Sequence, residues 1–236
     1  MGGELLLADL RDYKRLSHFD PVPLLGGEQA VLSPWRMALA YLGSFLSATE
    51  LASHFVHRPD FRPVYSLFLS GDQMLTTSCG RLFDGVASLL GCVDVLSFEG
   101  QGGMMVESLA GQSTTTEVYT DVVQAENSDT LPTLGLFQEV YLDVKCGTDR
   151  AEISRKFINS LTALLLKAVE GARLTCGINR IVFSGGVFQN RLLLSSCLDM
   201  FAKAGFECLS HQKVPCNDGG LALGQLCVGA ARQYRD

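Results

Sequence analysis

The sequence predicts an α/β fold, and three observations carry that expectation. Ile181-Val182-Phe183 is a short apolar run closed by Ser184-Gly185-Gly186, the pattern of a buried strand ending in a glycine turn. From Gln189 to Ala204 the apolar residues Leu192, Leu193, Leu194, Leu198 and Phe201 recur at helical spacing. Over roughly the last hundred residues, strand-like and helix-like stretches alternate, which favours a mostly parallel sheet with covering helices. In open α/β sheets ligands sit beyond the carboxyl ends of the strands, where such glycine turns lie. Gly185 and Gly186 have no Cβ, so a ligand can approach their backbone. The unpaired N–H groups that open the following helix favour anionic or polar groups. A tight turn with glycines placed for steric reasons alone is the competing reading of the same residues.

Taken in order, Glu4–Leu10 and Arg15–Phe19 read as strands, and Asp12-Tyr13-Lys14 between them makes a hairpin. Pro21, Pro23 and Gly26-Gly27 end this unit. Ser33-Pro34 is a helix start, with Ser as cap and Pro at the first position. The helix that follows carries Trp35, Met37, Ala38, Tyr41, Leu42 and Phe45 on one stripe. Further helices are expected over Ala48–His57 and Pro63–Met74, with no strand in this stretch. Leu82, Phe83, Val86, Leu89 and Leu90 form the inner face of another helix, closed by Gly91. Glu99-Gly100-Gln101-Gly102-Gly103 opens a helix that runs through Ala110. From Gly111 to Gly135 the chain turns polar and reads as a loop or mobile hairpin. Phe137–Val144 reads as a strand, and Thr148–Ala172 as a long helix with Asp149 and Glu152 in its first turn. Gly205 ends the helix after the glycine turn, and Phe206–Ser210 is a short strand. Val214-Pro215-Cys216 leads to Asn217-Asp218-Gly219-Gly220 and a last helix through Arg232. Three units result: 1–25, a hairpin; 26–134, mainly helical; and 135–236, an α/β lobe.

Composition narrows the function. With 236 residues and nearly half of them hydrophobic, the chain has material for a real core. A net charge of −6 argues against nucleic acid, whose binding needs a basic patch. No apolar run reaches the length of a membrane span, and Lys167 interrupts the most apolar helix, Leu161–Val169. The first residues show no basic region ahead of their apolar run, so no signal peptide is expected. Eight cysteines stand singly with no Cys-x-x-Cys pair, which points to a reduced, cytoplasmic protein.

Few residues carry chemical signals. Asp218, at a strand-to-helix turn, reads either as a helix cap or as a metal ligand. Asp84 sits in an apolar helix and reads either as its solvated side or as an acceptor for ribose hydroxyls. Glu99, before a glycine-rich helix start, complements the dipole or meets ribose. His54 and His57 have metal-face spacing, but no third ligand is near. The chain contains neither a Gly-x-Ser-x-Gly elbow nor a phosphate-binding loop ending in Lys and Ser/Thr.

Five blocks then stand out together. Ser33-Pro34-Trp35-Arg36-Met37-Ala38-Leu39-Ala40 and Thr77-Ser78-Cys79-Gly80-Arg81-Leu82-Phe83-Asp84 come first, followed by Phe98-Glu99-Gly100-Gln101. Ser184-Gly185-Gly186-Val187-Phe188-Gln189-Asn190-Arg191 and Pro215-Cys216-Asn217-Asp218-Gly219-Gly220-Leu221-Ala222-Leu223-Gly224-Gln225 complete the set. In this order they resemble the C-terminal part of the hydrogenase maturation carbamoyltransferases, the HypF family. The resemblance implies a ribonuclease H-like/actin-like ATPase lobe with an inserted helical region, its upstream lobe lying outside this chain. It implies a carbamoyltransferase that passes the carbamoyl group of carbamoyl adenylate, made from carbamoyl phosphate and ATP, to the C-terminal cysteine of HypE. That group becomes the cyanide of nickel–iron hydrogenases.

Carried over by position, Asp218 would bind a divalent metal, iron or zinc, with magnesium beside the nucleotide as the alternative. Asn190, Gly185 and Gly186 would hold the adenosine end of an adenine nucleotide, and Asp84, Glu99 and Gly100 would line its ribose side. No catalytic residue is implied in this chain, because the nucleophile is the thiolate of HypE. Neither nucleic acid nor membrane is an implied partner. The family's histidine cluster and one more strand of this lobe belong upstream of Gly2, and Ile158 stands where the family has histidine. Two other readings remain: a non-catalytic module that binds adenine nucleotide or docks HypE, and a relative of the tRNA threonylcarbamoyl transferases.

Overall fold

A computed structural model describes residues 2–124 and 129–233. The chain begins with strands β1 (Glu4–Ala8) and β2 (Tyr13–Phe19), antiparallel about a turn at Asp9–Asp12. Asp9 builds the turn by accepting the N–H groups of Arg11 and Asp12, at 2.6 and 2.8 Å. These bonds favour its ionised form and hold its pKa below the usual value. Strand β3 (Val22–Pro23) follows, then helices α1 (Glu28–Leu32), α2 (Pro34–Leu42), α3 (Ala48–His54) and α4 (Phe61–Ser70). A second two-residue strand, β4 (Leu75–Thr76), pairs with β3, so the helical stretch does contain a short antiparallel ladder. Helices α5 (Cys79–Leu89), α6 (Gln101–Ala110) and α7 (Thr120–Gln124), strand β5 (Thr130–Leu131), and helices α8 (Thr133–Cys146) and α9 (Arg150–Cys176) come next. The chain closes with β6 (Arg180–Phe183), α10 (Arg191–Lys203), β7 (Glu207–Ser210) and α11 (Leu221–Gln233).

The expected helix starts have physical causes. Pro34 opens α2, although the Ser33 side chain makes no capping bond. Every residue of α2 but Arg36 is buried, so this helix is a core element and not a surface one. Ser78 caps α5, and Asp149 caps α9 by accepting the N–H groups of Ala151 and Glu152.

The Phe137–Val144 stretch is helix, not strand. Thr133, Leu136, Phe137 and Val140 are buried at intervals of three and four, while Gln138 is exposed. The cap of α8 is non-local: Asp20 accepts the N–H of Leu134, and Thr133 Oγ1 accepts the N–H of Asp20. The polar stretch after Gly111 is irregular up to Tyr119, as expected of a loop, but it is tied to α9. The side chain of Asn159 donates to the carbonyls of Thr115 and Glu117, and Ser160 Oγ accepts the N–H of Tyr119. It then enters α7 and β5; residues 125–128 lie outside the described residues.

One hydrophobic core runs from the first hairpin to β7. Tyr41 of α2 stacks on Phe137 of α8 at 4.6 Å, and Phe83 of α5 meets Phe157 of α9 edge-on at 5.1 Å. Each fully buried ring of this kind contributes about 1.5–3 kcal/mol. Among the described residues the strands form three small sheets in place of one large parallel sheet. These are a three-stranded sheet in the order β1-β2-β5, the β3-β4 pair and the parallel β6-β7 pair. β1 is an edge strand, as are both strands of the β6-β7 pair, and Val182 of β6 is 60% exposed. No residue of α11 is buried. Its far end is tied to the first hairpin by two bonds, Arg11 Nε to the carbonyl of Ala231 and Arg232 Nε to the carbonyl of Arg11.

Candidate functional site

β6 and β7 run parallel, with Phe183 opposite Ser210, so their carboxyl ends open on the same side. The Ser184-Gly185-Gly186 turn leaves one strand and the loop to Asp218 leaves the other. The N–H of Gly185 donates to the carbonyl of Cys216 at 2.8 Å and joins the two. Gly185 has φ 107° and ψ 152°, a backbone region essentially reserved for glycine. A Cβ added there would meet nothing within 4 Å, so the backbone angle demands the glycine and the face in front of it stays open. Gly186 starts a 3-10 turn that ends at Gln189.

Asn190 caps α10. Its Oδ1 accepts the N–H of Leu193 at 2.9 Å, while Nδ2 is buried and has no hydrogen-bond partner among the described residues. At the other loop the cap is Asn217, whose Oδ1 accepts the N–H of Gly219 at 3.1 Å. Asp218, read from the sequence as a possible cap, is exposed, and its carboxylate makes no hydrogen bond among the described residues. Beside these loops is a cleft of about 330 Å³, lined by Phe183, Phe188, Gln189, His211, Lys213 and Cys216. His211 Nε2 lies 3.2 Å from Ser184 Oγ at its rim.

The second wall is α5 with α6. Asp84 is not on a solvated face, because it is 1% exposed beneath the first turn of α6. A Cβ on Gly102 would lie 2.6 Å from its Oδ1, so only glycine lets the two helices come this close. Asp84 Oδ2 is 2.8 Å from Arg81 Nη2, an ion pair without an aligned N–H, and Arg81 Nε has no partner among the described residues. Burial pushes the pKa of Asp84 up to about 6; Arg81 opposes the shift and Glu99 adds to it. Glu99 is exposed in front of this buried carboxyl, and Gly100, at φ 85°, caps α6. α5 also touches the 3-10 turn after Gly186, so the two walls meet.

Sequence reasoning missed Glu107. Its Oε1 accepts the N–H groups of Arg191 and Leu192, at 2.7 and 3.1 Å, across from α6 to the start of α10. The available signal was that Glu107 is the only charged residue between Gln101 and Ala110. His54 and His57 do not share a helix, since α3 ends at His54, whose ring packs edge-on against Phe55. Ile158 is fully buried in α9. Among the described residues no group of three or more His, Cys, Asp or Glu side chains gathers. Asp218 alone is not a metal centre. No described helix is long and apolar enough to cross a membrane.

Parallel strands ending in two joined glycine loops, beside a glycine-capped helix over a buried carboxyl, fit a lobe of the ribonuclease H-like/actin-like ATPase class, and the family model and structural neighbours place the chain there. Residues 1–225 match the protein-family model described as "Carbamoyltransferase, Kae1-like Domain, second subdomain", and the chain belongs to that family. It is 30% identical to carbamoyltransferase HypF2 of Cupriavidus necator, over 98% of this chain and 32% of that protein. It is 32% identical to carbamoyltransferase HypF of Synechocystis sp., over 99% and 32%. A crystal structure of full-length HypF in the phosphate- and nucleotide-bound form superposes with a TM-score of 0.88 at 32% identity, covering 99% of this chain and 31% of that one. The chain thus spans about a third of the length of these relatives and corresponds to the C-terminal part of HypF.

Proposed function

We propose that this chain is the part of a HypF-type carbamoyltransferase that holds the adenosine end of carbamoyl adenylate while the carbamoyl group passes to the C-terminal cysteine of HypE. The observation that carries the reading is the Gly185–Asn190 turn. Within six residues it presents an open glycine face at Gly185 and an amide donor, Asn190 Nδ2, that is buried and has no partner among the described residues. Glycine backbone suits a flat base, and an unpaired buried donor gains more from a ligand acceptor than an exposed one does. Glu99 and Gly100 stand on the opposite wall as the ribose side. Asp84, lying behind them, supports the first turn of α6 and reaches a ribose hydroxyl only if that turn shifts.

In the transfer, the HypE thiolate attacks the carbamoyl carbon, the bond to the adenylate oxygen breaks, and AMP leaves with the electron pair. This chain supplies orientation, not the nucleophile. Asp218, exposed and unpartnered, offers one carboxylate to a divalent ion that other residues would complete. The same reading places the work in the cytoplasm, with hydrogenase maturation as its purpose.

The test is calorimetric titration of ADP and AMP into the chain, beside Asn190→Asp. Aspartate keeps the cap on Leu193 but removes the amide donor. Binding by the parent, weakened about tenfold in the variant, is the expected result. Equal binding by both would remove Asn190 from the site, and a folded parent that takes up neither nucleotide would overturn the reading.

A further inference from the structure

We infer that Glu107 is a positioning residue that occupies the anion-binding start of α10, so that the uncharged nucleoside end of a nucleotide, and not its phosphates, faces the Gly185–Asn190 turn; this rests on the nucleotide-holding reading above.

The open N-terminus of a helix attracts phosphate through its unpaired N–H groups and dipole. In α10 those groups are already used. Glu107 Oε1 accepts from Arg191 at 2.7 Å and from Leu192 at 3.1 Å, and Asn190 Oδ1 accepts from Leu193 at 2.9 Å. The N–H of Leu194 is bonded within the helix to the carbonyl of Asn190. A carboxylate of the same chain therefore holds the place that a phosphate would take. Charge-assisted bonds from one carboxylate oxygen to two helix amides are strong, and they repel a second anion. The phosphates of a nucleotide lying on this turn must consequently point away from α10.

The same two bonds also link the two walls. Glu107 lies two helical turns beyond Gly100 on α6, a rise of about 10 Å. One end of this short rod carries Glu99 and Gly100, and the other is fastened to the residues directly after Asn190. Besides the packing of both helices on α9, this side chain therefore ties the two walls directly to each other.

The experiment compares the parent with Glu107→Gln and Glu107→Ala. It uses adenosine titrations with and without inorganic phosphate, and amide NMR of Arg191 and Leu192. Glutamine can still accept both N–H groups, so it should keep parent-like adenosine affinity and show no phosphate competition. Alanine frees the two amides. Adenosine affinity should fall about tenfold, phosphate should now compete with adenosine, and the Arg191 and Leu192 signals should move with added phosphate. A role in stability alone would lower the melting temperature without creating phosphate sensitivity. An alanine variant that stays folded and is as insensitive to phosphate as the parent overturns the inference. If the parent binds no adenosine, the nucleotide-holding reading fails and this orientation fails with it. The phosphate response of the two amides then decides separately whether Glu107 blocks an anion site.

Discussion

The N–H of Gly185 donates to the carbonyl of Cys216 at 2.8 Å, and this bond makes one structure of two loops that are distant in sequence. Directly after this bond Gly185 holds φ 107° and ψ 152°, the angles that turn the chain from the end of β6 into the 3-10 turn at Gly186. An alanine at this position has space for its methyl group but not the backbone angle. Gly185→Ala should therefore cost about 1–3 kcal/mol in urea denaturation. It should also lower nucleotide affinity by more than Gly186→Ala does, since Gly186 has no positive φ to defend. Equal effects of the two substitutions on stability would mean that the loop relaxes and that the angle is not enforced.

A second pair of glycines separates contact from conformation within a single helix. At Gly102 a Cβ would lie 2.6 Å from Asp84 Oδ1 and 3.2 Å from its backbone Cα, so the carboxyl alone cannot relieve the clash. Gly102→Ala should destabilise by about 1–3 kcal/mol through overpacking. At the neighbouring Gly103 the nearest atom is 3.9 Å away, in ordinary contact. Gly103→Ala should therefore stabilise α6 by up to about 1 kcal/mol. Thermal melts of the two variants should shift in opposite directions, and shifts in the same direction would contradict the packing of α6 on α5.

These particulars also show what the sequence could and could not reveal. The β6–turn–α10 unit was legible because its signals are local: an apolar triplet, two glycines and leucines at helical spacing. The helix α8 was not legible, because its cap is Asp20, more than a hundred residues upstream, and Phe137–Val144 mimics strand alternation. The polar stretch after Gly111 is irregular up to Tyr119, as its composition predicts, but its anchoring was not legible because the hydrogen bonds that hold it come from Asn159 and Ser160 on α9. At the site, Asp84 stood out by residue type and Asn190 only through the family resemblance, but neither the burial of the one nor the capping role of the other was legible. Glu107 stands out in the sequence as the lone charge of its helix, but nothing local places α6 beside α10, so its role was not legible.

Burial of Asp84 has a consequence for pH. Its pKa is raised from 3.8 to about 6 in the folded chain, mainly by desolvation. The folded state therefore binds more protons than the unfolded state between these values, and stability from this group falls as pH rises through them. At about 1.4 kcal/mol per unit, the full cost above pH 6 is on the order of 3 kcal/mol. Asp84→Asn removes this dependence while leaving Arg81 unpaired at every pH. The stability of the parent relative to Asp84→Asn should thus decline between about pH 4 and pH 7. His54, whose protonation burial disfavours, loses stability as pH falls below 6.5, but it does so equally in both proteins. A constant difference between the two across that range would mean that Asp84 is not desolvated.

Phe157 is fully buried on α9 against Phe83, and Phe157→Ala should cost about 3–5 kcal/mol. Leu226, in the middle of α11, is 71% exposed, and Leu226→Ala should change stability by less than about 0.5 kcal/mol. Both are large apolar side chains, so only their surroundings separate them. The helix is held at its ends, by the loop that follows Asn217 and by the two bonds between the hairpin tip and Ala231 and Arg232. Arg11→Ala removes one of these bonds directly. It should therefore raise amide exchange along α11 while leaving exchange in α9 unchanged, because α9 draws its stability from the core. If Leu226→Ala costs as much as a core substitution, α11 packs its apolar face in solution. If Arg11→Ala leaves exchange along α11 untouched, the hairpin tip is not what holds that end.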